Sequence, residues 1–240
     1  MLTNVQEPEA SPVGRISQET TGSQPGASLR ASVDRLPRFS SQEPLEWWHQ
    51  LPELVSGRLR LREVRLSDAP SLTAVLGAAE VAQHLSPGPT SLAQTEQFIA
   101  WSRRARMSGR YICFGVSPFG LGEAVGVFQI WPLEPSFGTA EWGFALGQRF
   151  WGTGLFEAGA RLVMDFAFET LGVQRLEARA AVDNVRGNAA LKKIGAVPEG
   201  VLRKCFRANG EYRDHVMWST LAEDWRAASG PIRLATGESS

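Results

Sequence analysis

Residues 139 to 168 read Thr139-Ala-Glu-Trp-Gly-Phe-Ala-Leu146, then Gly147-Gln-Arg-Phe-Trp-Gly-Thr-Gly154, then Leu155 to Phe168. The first block is short and apolar with Glu141 as its one charge, the pattern of a largely buried strand. The last block sets Leu155, Gly159, Leu162, Val163 and Phe166 at helical spacing, which gives one apolar face over about three turns. Between them lies a tight turn with glycines at 147, 152 and 154. A strand, a glycine-rich turn and a helix start together aim unpaired backbone N–H groups at one point, at the positive end of a helix dipole. That arrangement suits an anion, most often phosphate. A glycine-bearing turn with no ligand has the same local sequence, so context must decide.

The turn lacks Gly-Lys-Ser/Thr, which disfavours a nucleoside-triphosphate loop. Gly152-Thr-Gly154-Leu-Phe-Glu157 departs from G-x-G-x-x-G at its last position, where a glutamate would impair the helix–strand packing of a dinucleotide fold. Arg149-Phe150-Trp151-Gly152-Thr153-Gly154 does spell R-x-x-G-x-G.

Lys+Arg and Asp+Glu are both 25 in a chain of 240 residues, so the formal net charge is zero. Nothing in that balance points to nucleic acid or a membrane surface as partner. No run of ~18 apolar residues and no charged start leading into an apolar stretch occurs, so neither a membrane span nor a signal peptide is read, and a cytoplasmic location is expected. Leu2 excludes N-myristoylation. Cys113 and Cys205 make neither a metal spacing nor a disulfide framework, and no metal is expected.

Residues 1–44 are rich in Ser, Thr, Gln, Glu, Pro and Gly. They carry too little apolar surface to offset the entropy of ordering, so a disordered leader is expected. Residues 45–57 form a lead-in, in which Trp47, Trp48 and Leu51 suit a short helix packed on the domain; lining a substrate mouth is the alternative. A folded domain is expected over 58–226 and a flexible tail over 227–240. Leu59 and Leu61 alternate with Arg58, Arg60 and Arg62, a strand with one basic, solvated face. Ser67-Asp68 before Pro70 starts a helix, and Ser91-x-x-Gln94 opens a second by a capping box. Two strand-like runs, 110–116 and 123–131, suggest an antiparallel hairpin. After the long helix come a strand over 175–182, a short helix over 188–194 closed by Gly195, and strands over 201–208 and 212–221 flanking Asn209-Gly210. One crossover helix joins strands 139–146 and 175–182, so these two should run parallel. The expected fold class is α+β with a mixed sheet.

This order, with the R-x-x-G-x-G turn, resembles the GNAT superfamily, and within it the ribosomal-protein-type N-acetyltransferases. The likeness spans 58 to 225. It rests on Ala140-Glu-Trp-Gly-Phe-Ala-Leu146, on Leu176-Glu-Ala-Arg179 with Asp183-Asn184, on Leu191-Lys-Lys-Ile-Gly195, and on Glu199-Gly-Val-Leu-Arg203 with Asn209-Gly-Glu-Tyr-Arg-Asp-His215. It implies a mixed, mostly antiparallel sheet splayed between the fourth and fifth strands and flanked by helices, with acetyl-CoA as co-substrate. Two departures stand out. Ala196 replaces a usual bulky aromatic, and Leu191 occupies the position where many GNAT enzymes carry the tyrosine that protonates the departing thiolate.

By the resemblance, backbone N–H groups of Arg149, Phe150, Trp151, Gly152, Thr153 and Gly154 cradle the CoA pyrophosphate, with Arg149 adding a charge-assisted contact. Phe144 and Leu146 offer backbone groups to the pantetheine arm and the thioester carbonyl. Asn184 suits the pantetheine amides, though a strand-end turn asparagine looks the same. An acceptor amine is nearly all ammonium at neutral pH, so a base is needed. Glu141, a lone carboxylate in an apolar strand, is the candidate; a structural pairing with an arginine is the competing reading. Cys205 reads as a small buried residue rather than a nucleophile, Asp214 and His215 point to opposite strand faces, and His84 and Trp101 lie in the acceptor-shaping helices. The implied activity is acetyl transfer to a primary amine, a protein N-terminal α-amine or a small molecule, by direct attack in a ternary complex. A CoA-binding regulatory module without transfer is the alternative. A homodimer stays open as an assembly.

Overall fold

In the computed structural model, residues 46–85, 88–208 and 210–229 are described. The 1–44 leader, Asn209 and the end of the tail lie outside them. The described chain runs β1 (Leu54–Val55), β2 (Leu59–Glu63), α1 (Ala69–Gly77), α2 (Ala79–Ala82), α3 (Leu92–Met107), β3 (Ile112–Pro118), β4 (Gly126–Pro132), β5 (Thr139–Leu146) and α4 (Leu155–Asp165). It continues through β6 (Arg175–Ala181), α5 (Val185–Lys193), β7 (Val197–Ala208), β8 (Glu211–Leu221) and α6 (Ala222–Ser229). All eight strands join one sheet in the order β1-β2-β3-β4-β5-β6-β8-β7. β5 and β6 run parallel and the other neighbouring pairs antiparallel, the mixed α+β sheet that the order of elements implies.

Alternation along β5 divides the molecule. Ala140, Trp142 and Leu146 face a core shared with Leu155, Val163 and Met164 of α4. Ala145 faces the other way, into a second core built by α1 and α3 with Leu72, Leu76 and Ile99. The sheet thus separates two helical layers, and Glu141 and Gly143 share the face of Ala145 because side chains alternate along a strand. Past Asp165 the helix widens over Phe166–Thr170: Leu171 N–H donates to Phe166 O, an i→i+5 bond at 3.1 Å, and Leu171 caps the element before Gly172.

The parallel ladder is short. Only Thr139↔Arg175, Ala140↔Leu176 and Glu141↔Glu177 are in register. Beyond Glu141 the strands diverge, while β5 stays paired with β4 and β6 with β8. This splay is the feature that positions the site.

Four local expectations are corrected. Trp47 to His49 form a turn rather than a helix, and β1 follows. Trp47 is buried edge-on against Phe137, with ring centroids 5.5 Å apart. A third short helix, α2, sits between the two foreseen ahead of β3. β7 begins at Val197, ahead of the expected start. Arg62 does not join the solvated basic face of Arg58 and Arg60: it is buried in a bidentate pair with Asp68, both contacts 2.8 Å. Burial pushes the Asp68 carboxyl up, but Arg62 and the backbone N–H groups of Arg65 and Ala124 outweigh it and hold the pKa below the ordinary value.

Candidate active site

The turn from Gly147 to Gly154 is braced from within. Gln148–Phe150 form a single 3₁₀ turn. The Trp151 indole N–H donates to Leu146 O at 2.8 Å, and the Thr153 hydroxyl donates to Phe150 O at 2.7 Å. From β2's leading edge, the Arg58 guanidinium donates to Thr153 O at 3.1 Å. Gly152 (φ +75°) and Gly154 (φ +81°) hold left-handed conformations that turn the chain into α4, a region costly for any residue with a Cβ.

This bracing narrows which amides face a ligand. The N–H groups of Phe150, Trp151 and Thr153 donate to Gly147, Gln148 and Phe150 carbonyls inside the turn. Those of Gly152, Gly154, Phe156 and Glu157 have no acceptor among the described residues. They surround the N-terminus of α4, where the helix dipole adds positive potential.

These amides border a cavity of about 600 Å³ in the splay between β5, β6 and α5. Phe144, Leu146, Trp151, Gly152, Gly154 and Asn184 all line it. Arg149 and Phe150 instead line a separate cavity of about 290 Å³ against α1, with the Arg149 guanidinium 4.7 Å from the Phe150 ring centre. Thr153 lines neither. Asn184 caps α5: its side-chain oxygen accepts from Gly187 N–H at 2.8 Å, which leaves its NH₂ for a ligand. Leu191 is buried on the cavity wall, so the tyrosine position holds no hydroxyl.

Two arginines join the site that motif reading did not single out. Arg58 braces the turn, and Arg186 lines the cavity with its guanidinium 4.3 Å from the Trp151 ring centre. A cation in the first turn of α5 opposes the helix dipole. That local mismatch is the signal that could have flagged Arg186.

Glu141 is buried, with Oε2 3.3 Å from Arg179 Nη1 and Glu177 directly across the parallel ladder. Burial raises its pKa; Arg179 opposes the rise and Glu177 adds to it, and the net shift is upward. Arg179 lines the cavity, whereas Glu141 sits behind it. A chain of charges runs on across the sheet: Arg179 lies 3.6 Å from Glu177, Arg175 bonds Glu177 at 2.8 Å, and Arg175 grips Glu199. The arginine contact of the structural reading and the elevated pKa of the base reading therefore occur together.

Cys205 is exposed on the edge strand β7 rather than buried as expected, and Cys113 is buried with its thiol pKa pushed up by burial. Asp214 accepts from Lys204 N–H at 2.7 Å on the outside of β8, while the neighbouring His215 is buried. Trp101 packs on Tyr111, and His84 lines the cavity. Among the described residues no cluster of His, Cys, Asp or Glu suits a metal ion, and no helix is long and apolar enough to cross a membrane.

The acetyltransferase (GNAT) domain family matches residues 58–197. The uncharacterized N-acetyltransferase p20 of Bacillus licheniformis is 27% identical over 173 residues, covering 72% of this chain and 97% of that protein. A candidate ribosomal-protein-serine acetyltransferase of Vibrio cholerae superposes with a TM-score of 0.64 at 25% identity, over 70% of this chain and 97% of that one. RimJ of Mycobacterium smegmatis, solved in complex with CoA-disulfide, shares the fold at a TM-score of 0.64 and 22% identity, covering 70% and 87%.

Proposed function

This chain belongs to the GNAT acetyltransferase family, and we propose that it moves the acetyl group of acetyl-CoA to a primary amine, a protein N-terminal α-amine or a small-molecule amine. The observation that carries this reading is the set of four unpaired N–H groups at the start of α4, opening on the splay behind which Glu141 is buried. A diphosphate suits that cradle, and Arg58 and Arg186 suit its charge. Phe144 and Leu146 then flank the pantetheine arm, and the Asn184 NH₂ donates to one of its amide carbonyls. The Arg149 and Phe150 side chains, facing the other cavity, support the turn rather than the ligand.

In the proposed reaction Glu141 takes a proton from the acceptor ammonium through a water, since Arg179 stands between the carboxylate and the cavity. The freed nitrogen lone pair attacks the thioester carbonyl, and a β5 amide stabilises the resulting oxyanion. Collapse breaks the C–S bond, the nitrogen gives its second proton to water in the cavity, and the thiolate takes a proton from that water, because Leu191 has none to give. A cytoplasmic location belongs to the same proposal, as does a catalytic domain over 58–226 carrying a leader and a tail.

The test is thermal unfolding with and without acetyl-CoA, coupled to thiol release with a panel of amines. Stabilisation by ligand with amine-dependent thiol release is expected. Absence of both would remove the reading, and stabilisation without release would favour a binding module.

A further inference from the structure

The sheet face turned away from α4 changes character halfway across. Over β3 and β4 it is covered by α1 and α3 through apolar contacts. Over β5, β6 and β8 it carries Glu141, Glu177, Arg179, His215 and Ser219, placed together by strand register. Most of these groups are matched. Arg175 bonds Glu177 and Glu199, and Ser219 Oγ donates to Glu199 at 2.7 Å.

Arg179 is matched in charge but not in hydrogen bonds. Its terminal nitrogens stand 3.3 Å from Glu141 and 3.6 Å from Glu177, it makes no directed hydrogen bond among the described residues, and its Nε is buried without a partner. His215, 1% exposed on β8, likewise holds a partnerless Nε2. Burial, and then Arg179, lower its pKa to about 4, so it is neutral near pH 7. His84, on the cavity wall beyond α2, has a partnerless Nδ1 and feels the same two charges as His215, Asp183 and Arg213. Of these three residues Arg179 and His84 line the cavity, and Arg179 is the one in contact with Glu141. Buried polar groups are nearly always partnered in folded proteins, so a cavity-lining guanidinium with an unused donor asks for a ligand that completes it.

The chemistry of that ligand follows from the charges. Glu141 reaches the acceptor's ammonium through a water, while the Arg179 guanidinium, on the cavity wall with a donor to spare, suits an oxygen close to that amine. A second ammonium would meet Arg179 and be repelled. We infer that Arg179 is a specificity-determining residue that hydrogen-bonds the carbonyl or carboxylate oxygen next to the acceptor amine, so the site takes α-amino acyl compounds in preference to alkyl polyamines. This rests on the acetyl-transfer reading above and names its acceptor class.

The experiment measures kcat/KM by thiol release for L-alanine, an alanyl peptide, isopropylamine and spermidine, alongside acetyl-CoA affinity by calorimetry. A site built to bond an oxygen rejects the analogue that lacks it. Wild type should therefore favour the better α-amino acceptor over isopropylamine and spermidine by about 100-fold or more. Free alanine against the peptide tells a carboxylate from an amide carbonyl. Because Arg179 also faces Glu141, Arg179→Met lowers transfer to every acceptor, and the ratio between acceptors cancels that common loss. The ratio should fall at least about tenfold with acetyl-CoA affinity unchanged. Arg179→Lys, which keeps the charge but loses the planar fork, should give an intermediate ratio; it carries the test alone if the methionine variant does not fold. An unchanged ratio in both variants, parity with spermidine, or acetyl-CoA binding without transfer to any α-amino acceptor overturns the inference. Failure to bind acetyl-CoA overturns the acetyl-transfer reading instead.

Discussion

Replacing Gly154 by alanine separates the strain of the turn from its role as a cradle. Gly154 holds φ +81°, and an added Cβ would meet only the flexible Arg58 side chain, at 3.3 Å from Nη1. Conformational strain therefore dominates, at about 1–2 kcal/mol for a non-glycine residue in the left-handed region. For a domain of this size that lowers Tm by about 2–8 °C. The chain can relieve the strain by turning the 153–154 peptide out of place, which moves the Gly154 N–H off the α4 axis. Ligand binding must then restore it, so the part of the 1–2 kcal/mol relieved in the free protein moves from Tm to Kd, up to a roughly 5- to 30-fold weaker Kd for acetyl-CoA. Gly172 supplies the control: it holds φ +74° with nothing within 4 Å of an added Cβ, and it is not among the residues bordering the cavity. Gly172→Ala should lower Tm by a similar amount and leave Kd unchanged. Calorimetry and thermal unfolding on both variants decide the matter. Equal Kd values for Gly154→Ala and wild type would refute the cradle, and weakened binding in Gly172→Ala would show that only global stability was being read.

Glu141→Gln should cut turnover by about 10²–10⁴-fold while leaving the Kd for acetyl-CoA near wild type. Since the Glu141 pKa lies above its ordinary value, wild-type activity should fall as pH drops through that raised pKa, and the residual activity of the variant should lack that limb. Asp68→Ala leaves Arg62 buried without its partner, so urea unfolding should show a loss of about 3–5 kcal/mol. His215 is protonated in the unfolded chain below the ordinary histidine value of 6.5 but in the native state only below about 4. Stability should therefore decline as pH falls from 6.5 to 4, by about 3 kcal/mol at roughly 1.4 kcal/mol per unit. His215→Gln should flatten that slope in denaturant titrations across the window.

The parts of the fold that were legible in sequence are those where local pattern and tertiary role coincide. β5, the glycine turn and α4 follow from alternation, glycine placement and helical spacing, and the structure keeps those bounds closely. β7 starts at Val197 although it contains Pro198 and Gly200, because it lies at an edge of the sheet, where a missing N–H is tolerated. Period-2 alternation sent Arg62 to solvent because nothing local announces that Asp68, six residues on, folds back onto it. The short helix α6 depends on a distant bond, the Trp225 indole N–H donating to Asp165 at 2.8 Å. Within the site, Glu141, Gly152, Gly154 and Asn184 could be named from residue type and position. Arg179 could not be weighed, because its placement at the cavity depends on where β5 and β6 diverge, a property of two strands and not of either one.

The account depends most on which amides meet the diphosphate. Backbone ¹H–¹⁵N spectra recorded while CoA is added test this, with pantetheine, which lacks the diphosphate, as the comparison. The prediction is that the amides of Gly152, Gly154, Phe156 and Glu157 move with CoA and stay still with pantetheine, while those of Phe150, Trp151 and Thr153, already bonded within the turn, move less in both. Unmoved glycine amides in a spectrum that otherwise reports CoA binding would contradict it.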